Sequence, residues 1–264
     1  MGFDHAWTYD HLAWRTLRDN PWFAAVPTLT AAALVTSTIR LGTLVASPNF
    51  RHPVSFAREL ITLDDVSAGR LTVGLGSGGE GWDATILGQA AWSPRERADH
   101  FDEFVTLLDR VLRGPSTTYA GRHYSAEAAP NQPGCVQQPR VPFAIAATGP
   151  RGMRLAVALA DVWVTNGDRN HTGEPLRAAA GAELVRAQMA RLDAHCAAAG
   201  RDPATLDRLV LTGARLDAGL GSLAEWHETR DAYAAIGATD LVVHWPRPTD
   251  PYQGDPAILE HLTG

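Results

Sequence analysis

Short apolar runs alternate with amphipathic segments along nearly the whole chain. The apolar runs are rich in Val, Leu and Ile, which is typical of parallel strands covered on both faces. They predict seven strands, at residues 6–9, 39–45, 71–75, 141–146, 162–164, 209–212 and 241–245. Apolar residues at helical spacing predict helices between them, at residues 24–36, 53–66, 94–112, 174–199 and 223–236.

This alternation of strands and helices predicts an α/β fold with a parallel sheet, organised as one domain over residues 1–264. The least regular part is the stretch 115–140. Its residues 117–119 and 123–124 flank Gly121 and predict a small hairpin, followed by a polar loop. A closed (β/α)₈ barrel has eight strands, one more than the pattern predicts.

Composition and charge exclude several classes of partner. The chain has 23 basic residues, all arginine, and a net charge of −6, which disfavours nucleic acid because that ligand needs a basic face. No apolar run approaches the ~20 residues of a membrane helix. The first residues lack the basic start and apolar core of a signal peptide. Cys135 and Cys196 form no C-x-x-C, so we expect free thiols and a cytoplasmic protein.

Ligands of parallel α/β proteins bind beyond the carboxyl ends of the strands. One strand, 71–75, continues into a loop with four glycines between residues 74 and 79. The spacing matches neither nucleotide-binding glycine fingerprint, and a plain tight turn is the alternative. After the predicted strand 141–146 comes Thr148-Gly149. The hydroxyls of Ser77 and Thr148 and the amides of Gly78 and Gly149 can together hold one phosphate, aided by a short helix that starts near Arg151.

His11 follows Asp10 at the end of the first predicted strand. A histidine there can move a proton or hold a ring by hydrogen bonding, and a hydrogen-bonded strand-end residue is the alternative. No H-x-H or H-E-x-x-H spacing occurs, so no metal site is predicted. The absence of G-x-S-x-G leaves a serine triad without support.

Six short motifs occur in order along most of the chain. They are Gly2-Phe3-Asp4 with Trp7 and Asp10-His11; Leu41-Gly42-Thr43; Arg51-His52-Pro53; Leu63-Asp64 with Ser67 and Gly69-Arg70; Gly74-Leu75-Gly76-Ser77-Gly78; and Ala147-Thr148-Gly149-Pro150 followed by Ala160-Asp161 and Trp163. With them the chain resembles the bacterial luciferase-like family of flavin- and deazaflavin-dependent oxidoreductases. Any one motif is weak, whereas six in order are specific.

The resemblance implies a TIM (β/α)₈-type barrel with a flavin-type ring over its carboxyl rim. The implied catalytic residues are His11 and Asp10. A non-prolyl cis peptide is implied near Leu44-Val45, and Glu80 is implied to face the site. The implied cofactor-binding residues are Thr43, Leu44, Val45, Gly76, Ser77, Gly78, Ala147, Thr148 and Gly149.

The cofactor implied by the resemblance is the deazaflavin coenzyme F420 or FMN, with a slight preference for deazaflavin because the first two motifs look most like that branch. Two reactions are open: hydride transfer with a small organic substrate, or attack of dioxygen on reduced FMN. A non-catalytic flavin-binding relative and an inactive fragment are further alternatives. Three arginines near the rim either meet the acidic tail of the coenzyme or are solvated surface charges: Arg51, Arg151 and Arg154. Aromatic residues that can line an apolar pocket are Trp7, Trp14, Trp22, Phe50, Trp82 and Trp245.

The chain departs from the family pattern in two places. The family begins with one more strand and helix before Gly2, which predicts an unpaired strand edge at residues 6–9 and suggests a truncated or misplaced start. Val162 replaces a glycine of the family. Family members often pair as dimers, so a homodimer is open.

Overall fold

A computed structural model describes residues 2–14, 19–79 and 81–262. The chain divides into two compact units, an N-terminal unit (Asp4–Ala146) and a C-terminal unit (Ala147–Gly264 with Met1–Phe3). The described residues include seven parallel strands, four in the first unit and three in the second. All seven predicted strands are therefore found, and the prediction of an α/β fold is confirmed.

The N-terminal unit is built on four strands in the spatial order β1, β2, β3, β6. Its elements are β1 (His5–Thr8), α1 (Ala25–Val35), β2 (Arg40–Ala46), α2 (Pro53–Val66), β3 (Leu71–Leu75), a short 3₁₀ helix (Trp82–Ala84), α3 (Pro94–Arg113), β4 (Ser116–Ala120), β5 (Ser125–Pro130) and β6 (Phe143–Ala146). β3 is buried along its whole length, which explains its continuous apolar sequence. β1 lies at the edge of this sheet, as predicted for residues 6–9, and Ala6 is exposed there.

The predicted hairpin in the irregular stretch is confirmed as β4 and β5, which pair antiparallel. One part of the prediction is wrong: His123 and Tyr124 lie in the connection rather than in a strand. The reason is Glu103 on α3, whose carboxylate accepts the backbone N–H groups of residues 122 to 124 at 2.8–3.2 Å. These donors are therefore taken by a side chain and do not join the ladder.

The C-terminal unit contains three parallel strands in the order β7, β8, β9. Its elements are α4 (Pro150–Leu159), β7 (Val162–Thr165), α5 (Ala178–Ala199), a 3₁₀ helix (Pro203–Thr205), β8 (Asp207–Leu211), α6 (Leu223–Ala235), β9 (Asp240–Val242) and a 3₁₀ helix (Pro256–His261). The short helix predicted near Arg151 is α4. α5 ends at Ala199, and the glycine that follows it, Gly200, adopts a left-handed conformation, as the sequence predicts for a helix stop.

One histidine of the C-terminal unit, His244, makes the stability of this unit depend on pH. The rings of His244 and Tyr252 stack with centroids 3.6 Å apart. Burial lowers the pKa of His244 to about 4, whereas an unfolded chain has a histidine pKa of ~6.5. The unfolded state therefore binds the proton more readily, and stability is lost as the pH falls from ~6.5 toward ~4.

We expect this histidine alone to cost about 2 kcal/mol of unfolding free energy between pH 7 and pH 5. His244→Phe keeps an aromatic ring against Tyr252 but binds no proton, so its stability should fall less over that interval. Urea unfolding at both pH values measures the difference. His227→Phe, on an exposed position of α6, is the control and should retain the wild-type acid dependence. Equal acid dependence in His244→Phe and wild type would contradict the assignment.

Candidate functional site

The carboxyl ends of β1, β2 and β3 lie at one edge of the N-terminal sheet, because these neighbouring strands are parallel. Asp10 and His11 follow β1, residues 47–50 follow β2, and the loop 76–79 follows β3. The tertiary fold thus brings three segments that were predicted to follow strands to the same edge of the N-terminal sheet. Glu80 lies outside the described residues.

His11 is held by Asp83, a residue of the 3₁₀ helix that follows the glycine-rich loop. Nδ1 of His11 contacts Oδ2 of Asp83, and Oδ1 of Asp83 accepts the backbone N–H of Leu12 at 2.6 Å and of Ala13 at 3.3 Å. An ionised carboxylate only accepts hydrogen bonds, so in the neutral ring Nδ1 carries the proton. Nε2 is left as the basic atom. With 26% of its side chain exposed, His11 is accessible to a ligand.

Aromatic side chains surround His11. The centroids of Tyr9, Trp14 and Trp22 lie 5.9–6.3 Å from that of His11. Tyr9 and Trp14 are stacked at 5.7 Å, and Trp14 and Trp22 at 6.2 Å. Two of the tryptophans proposed for an apolar pocket therefore lie next to the candidate catalytic histidine. Flat apolar surfaces of this kind fit a planar ring, with few polar groups to set its orientation.

The other tryptophans on that list have different surroundings. The Trp7 indole N–H donates to Nδ1 of His5 at 2.6 Å, within β1. Trp82 is 41% exposed, and Trp245, in the C-terminal unit, is 60% exposed.

Asp10 forms a buried ion pair with Arg51. The Nε and Nη2 atoms of Arg51 donate to the two carboxylate oxygens at 2.5 and 2.8 Å, and its guanidinium lies 4.3 Å from the ring centroid of Phe56. Burial opposes the charge of Arg51, but the hydrogen bonds and charges of Asp10 and of Glu59, which Nη1 contacts at 2.8 Å, together outweigh burial and raise the pKa of the guanidinium. Arg51 is thus neither a solvated surface charge nor open to a coenzyme tail. Asp10 fixes the end of β1 to the start of α2.

The two further arginines considered for the coenzyme tail lie on α4. Arg154 is exposed, and Arg151 is half-buried.

The end of β2 packs tightly on β3. A cis peptide bond joins Leu44 and Val45, at the position that the resemblance indicated, and the strand register shifts between Thr43 and Ala46. The Thr43 hydroxyl donates to the carbonyl of Gly74 at 2.9 Å. A Cβ added at Gly76 would lie 2.5 Å from Cγ2 of Val45, so a glycine is required for this close approach.

The loop after β3 presents three consecutive backbone N–H groups. The amide of Gly76 donates to Ala46 at 2.9 Å and belongs to the sheet. The amides of Ser77, Gly78 and Gly79 donate to no other group among the described residues. Gly78 has φ +72°, and a Cβ there would overlap the side-chain amide of Asn49. A glycine loop of this kind, with adjacent free amides, is chemically suited to a phosphate.

The second predicted loop, 147–149, belongs to the C-terminal unit. The Ala147 amide donates to Val164 at 3.2 Å, and its carbonyl accepts the indole N–H of Trp163 at 2.6 Å. Gly149 is the N-cap of α4, and a Cβ added to it meets nothing within 4 Å. Thr148 is half-buried. The loop is thus anchored at its start and has open space at its end, at the N-terminus of a helix, where anions bind favourably. Joint binding of one phosphate by Ser77 and Thr148 stays a prediction.

The part of the chain that the structure describes gives no support for metal binding, a membrane-spanning helix or a reactive cysteine. Among those residues, no group of three or more His, Cys, Asp and Glu could hold a metal ion. Across the same residues, no helix is long and apolar enough to cross a membrane. Cys135 and Cys196 are both buried free thiols, and burial raises the pKa of each, so both are poor nucleophiles at neutral pH.

The fold and these strand ends define a parallel α/β protein with a carboxylate-held histidine and a glycine-rich loop at one edge of its N-terminal sheet. A family model described as luciferase-like monooxygenase matches residues 1–235, so the chain belongs to the luciferase-like monooxygenase family. The recognition made from six motifs is therefore confirmed.

Curated relatives share part of the sequence. The chain is 36% identical over 170 residues to an F420-dependent glucose-6-phosphate dehydrogenase of Beutenbergia cavernae, covering 62% of this chain and 48% of the relative. It is 30% identical over 211 residues to an F420-dependent hydroxymycolic acid dehydrogenase of Mycobacterium tuberculosis, covering 78% of this chain and 53% of the relative. The chain thus spans about half the length of the curated relatives it matches.

Solved structures share the fold. The coenzyme F420-dependent tetrahydromethanopterin reductase from Methanopyrus kandleri superposes with a TM-score of 0.73 at 19% identity, covering 99% of this chain and 92% of that one. An F420-dependent secondary alcohol dehydrogenase gives 0.73 at 18% identity, covering 91% and 84%. The monooxygenase RslO1 from Streptomyces bottropensis gives 0.66 at 22% identity, covering 89% and 68%. These likenesses agree with the barrel-type α/β fold that the resemblance implied.

Asp83 is a residue of the candidate site that was not predicted from the sequence. It lies 72 residues from His11 and carries no spacing motif. The one signal was its position in a stretch of small and apolar residues directly after the glycine-rich loop, where an acid has few local partners.

Proposed function

We propose that this protein transfers a hydride between a deazaflavin coenzyme and a small organic substrate. The observation that carries the proposal is the His11–Asp83 pair, surrounded by aromatic rings at the sheet edge that also holds the free amides of residues 77–79. The named relatives that use F420 support the choice of deazaflavin over FMN.

The coenzyme, when bound, supplies the carbon that accepts or donates the hydride. The protein residues supply position and a proton path. Nε2 of His11 takes the hydroxyl proton when an alcohol is oxidised, or returns it when a carbonyl is reduced. Asp83 keeps the imidazole in the tautomer with a basic Nε2 and stabilises the positive charge that develops on the ring. Tyr9, Trp14 and Trp22 keep water away from this atom.

Two loops, each described within its own unit, are proposed as candidates for contact with the anionic tail of the coenzyme. Ser77, Gly78 and Gly79 contribute free amides. Ala147, Thr148 and Gly149 contribute the N-terminus of α4. Thr43, Leu44, Val45 and Gly76 pack closely on one another and would form one wall of the coenzyme site.

A parallel titration with coenzyme F420 and with FMN tests the proposal. Ligand at 100 times its Kd raises unfolding free energy by about 2.7 kcal/mol, which appears as a higher thermal midpoint. We expect stabilisation by F420 and a weaker response to FMN. Stabilisation by FMN alone favours the dioxygen-dependent alternative. Binding of F420 without turnover of any tested alcohol or carbonyl favours a non-catalytic relative, and no response to either coenzyme contradicts the proposal.

Gly149→Val is expected to weaken F420 binding at least about tenfold, a cost of about 1.4 kcal/mol, because two methyl groups would enter space proposed for the tail. Gly149 has extended backbone angles that valine adopts readily, and the added Cβ meets no protein atom. Valine is a poorer N-cap than glycine, so the thermal midpoint without coenzyme is measured as well, and the loss of affinity should exceed what any small loss of stability explains. Gly149→Ala, with one methyl group, should lie between the two in affinity. Normal affinity in the Val variant would exclude this loop from the site.

A further inference from the structure

A cavity of about 440 Å³ lies in the C-terminal unit. This volume is within the range of small-molecule sites. Its walls are the segment that follows β8, which includes Gly213 and Asp217, and the segment 244–255 that follows β9. All residues that line the cavity belong to this unit.

The uncharged part of the cavity is built from rings and apolar side chains. His244 and Tyr252 stack with 12° between their planes, and Leu220 and Pro246 also line the space. Because burial keeps the pKa of His244 at about 4, its ring is neutral at physiological pH. This surface therefore suits an apolar body and adds no positive charge.

The charged part of the cavity is acidic. Asp217 and Asp255 line it, and none of its lining residues is basic. Each aspartate uses Oδ1 to accept one backbone N–H, from Gly219 and Ala257 respectively, both at 2.9 Å. Within the described residues neither carboxylate is in an ion pair. Asp217 is half-buried and Asp255 is exposed. Carboxylates that are not neutralised by an ion pair attract a cation and repel a phosphate.

We propose that this cavity binds a small organic cation, with its apolar body on the His244–Tyr252 rings and its ammonium group at Asp217 and Asp255. The chemistry disfavours phosphorylated ligands at this place. The inference does not depend on the coenzyme proposed above, because it concerns residues of the C-terminal unit alone and its test uses the 264-residue chain without coenzyme.

Three probes with the same ring and different charge test the proposal: benzylamine, benzyl alcohol and benzyl phosphate. Affinities are measured by calorimetry or ligand-observed NMR at pH 7. We expect benzylamine to bind about tenfold more tightly than benzyl alcohol, since a hydrogen bond to a charged group is stronger than a neutral one. Benzyl phosphate should bind most weakly. No measurable binding of benzylamine, or binding of benzyl phosphate as tight as that of the amine, overturns the proposal.

Variants locate the binding. Asp217→Asn and Asp255→Asn keep an oxygen that accepts the backbone N–H but lose the charge, so each should lower benzylamine affinity about tenfold and leave benzyl alcohol unchanged. Asp231→Asn, on an exposed position of α6, is the matched control and should bind like wild type. Ala218→Phe places a ring in the cavity and should abolish binding of both probes. Unchanged benzylamine affinity in the two aspartate variants or in Ala218→Phe overturns the assignment.

Discussion

His11→Ala is expected to lower the turnover number of the proposed hydride transfer by about 10²- to 10⁴-fold, the usual contribution of a positioned proton-transfer group. The physical reason is the loss of Nε2, the basic atom that the contact with Asp83 leaves available. The Kd for F420, measured by fluorescence quenching, should change little, because the proposed tail contacts come from backbone amides of other loops. Steady-state kinetics with any substrate that supports wild-type turnover gives the rate.

Two controls separate proton transfer from damage to the fold. Added imidazole should restore part of the activity of His11→Ala, since it fits the space of the missing ring. Asp83→Asn should also lower turnover, because an amide N–H directed at Nδ1 favours the tautomer with the proton on Nε2. The role of His11 would be disproved by an Ala variant with wild-type turnover.

Arg51→Met is expected to cost about 3–5 kcal/mol of unfolding free energy, the usual result of removing one partner from a buried ion pair. Asp10 is 3% exposed, and both its oxygens accept hydrogen bonds from Arg51. Without the guanidinium the carboxylate stays buried and uncompensated. Urea denaturation at pH 7 measures the loss.

The matched control is a double-mutant cycle. Asp10→Asn/Arg51→Met removes both charges, so it should be more stable than Arg51→Met alone. A loss below about 1 kcal/mol in the single variant would show that the pair behaves like a surface salt bridge. That result would also favour the prediction that Asp10 takes part in catalysis, because its carboxylate would then be free to rearrange.

Local pattern predicted the strands and helices well and their ends less well. α5 starts at Ala178 and not at residue 174, because the Leu176 amide donates to Arg215 at 2.8 Å and Leu176 bridges to Leu216. β6 starts at Phe143 rather than at residue 141. Pro142 precedes it and has no N–H to donate to a ladder. In the first case a distant segment, and in the second a local proline, decides where the element starts.

Part of the candidate site could also be predicted. The glycine-rich loop after β3 could be recognised from the sequence, because positions where the backbone approaches other atoms closely are usually occupied by glycine. His11 was visible as a titratable group at a strand end. Asp83 was not, and the role of Arg51 was open between coenzyme contact and surface charge. The roles of Asp83 and Arg51 depend on which residues, distant in sequence, lie next to them in the folded chain. A single sequence does not give these distances in space.

The sequence by itself determined the α/β class, seven strands and the glycine-rich loop, since these follow from periodicity and spacing over short stretches of chain. It indicated the family through the resemblance of six motifs. Only the tertiary structure decided that Asp83 holds His11, that Arg51 neutralises Asp10, and that His244 and Tyr252 stack beside an acidic cavity. Side chains 72, 41 and 8 residues apart meet there through the path of the folded chain. Strand pairing and loop closure set that path, and neither is encoded in local hydrophobic pattern.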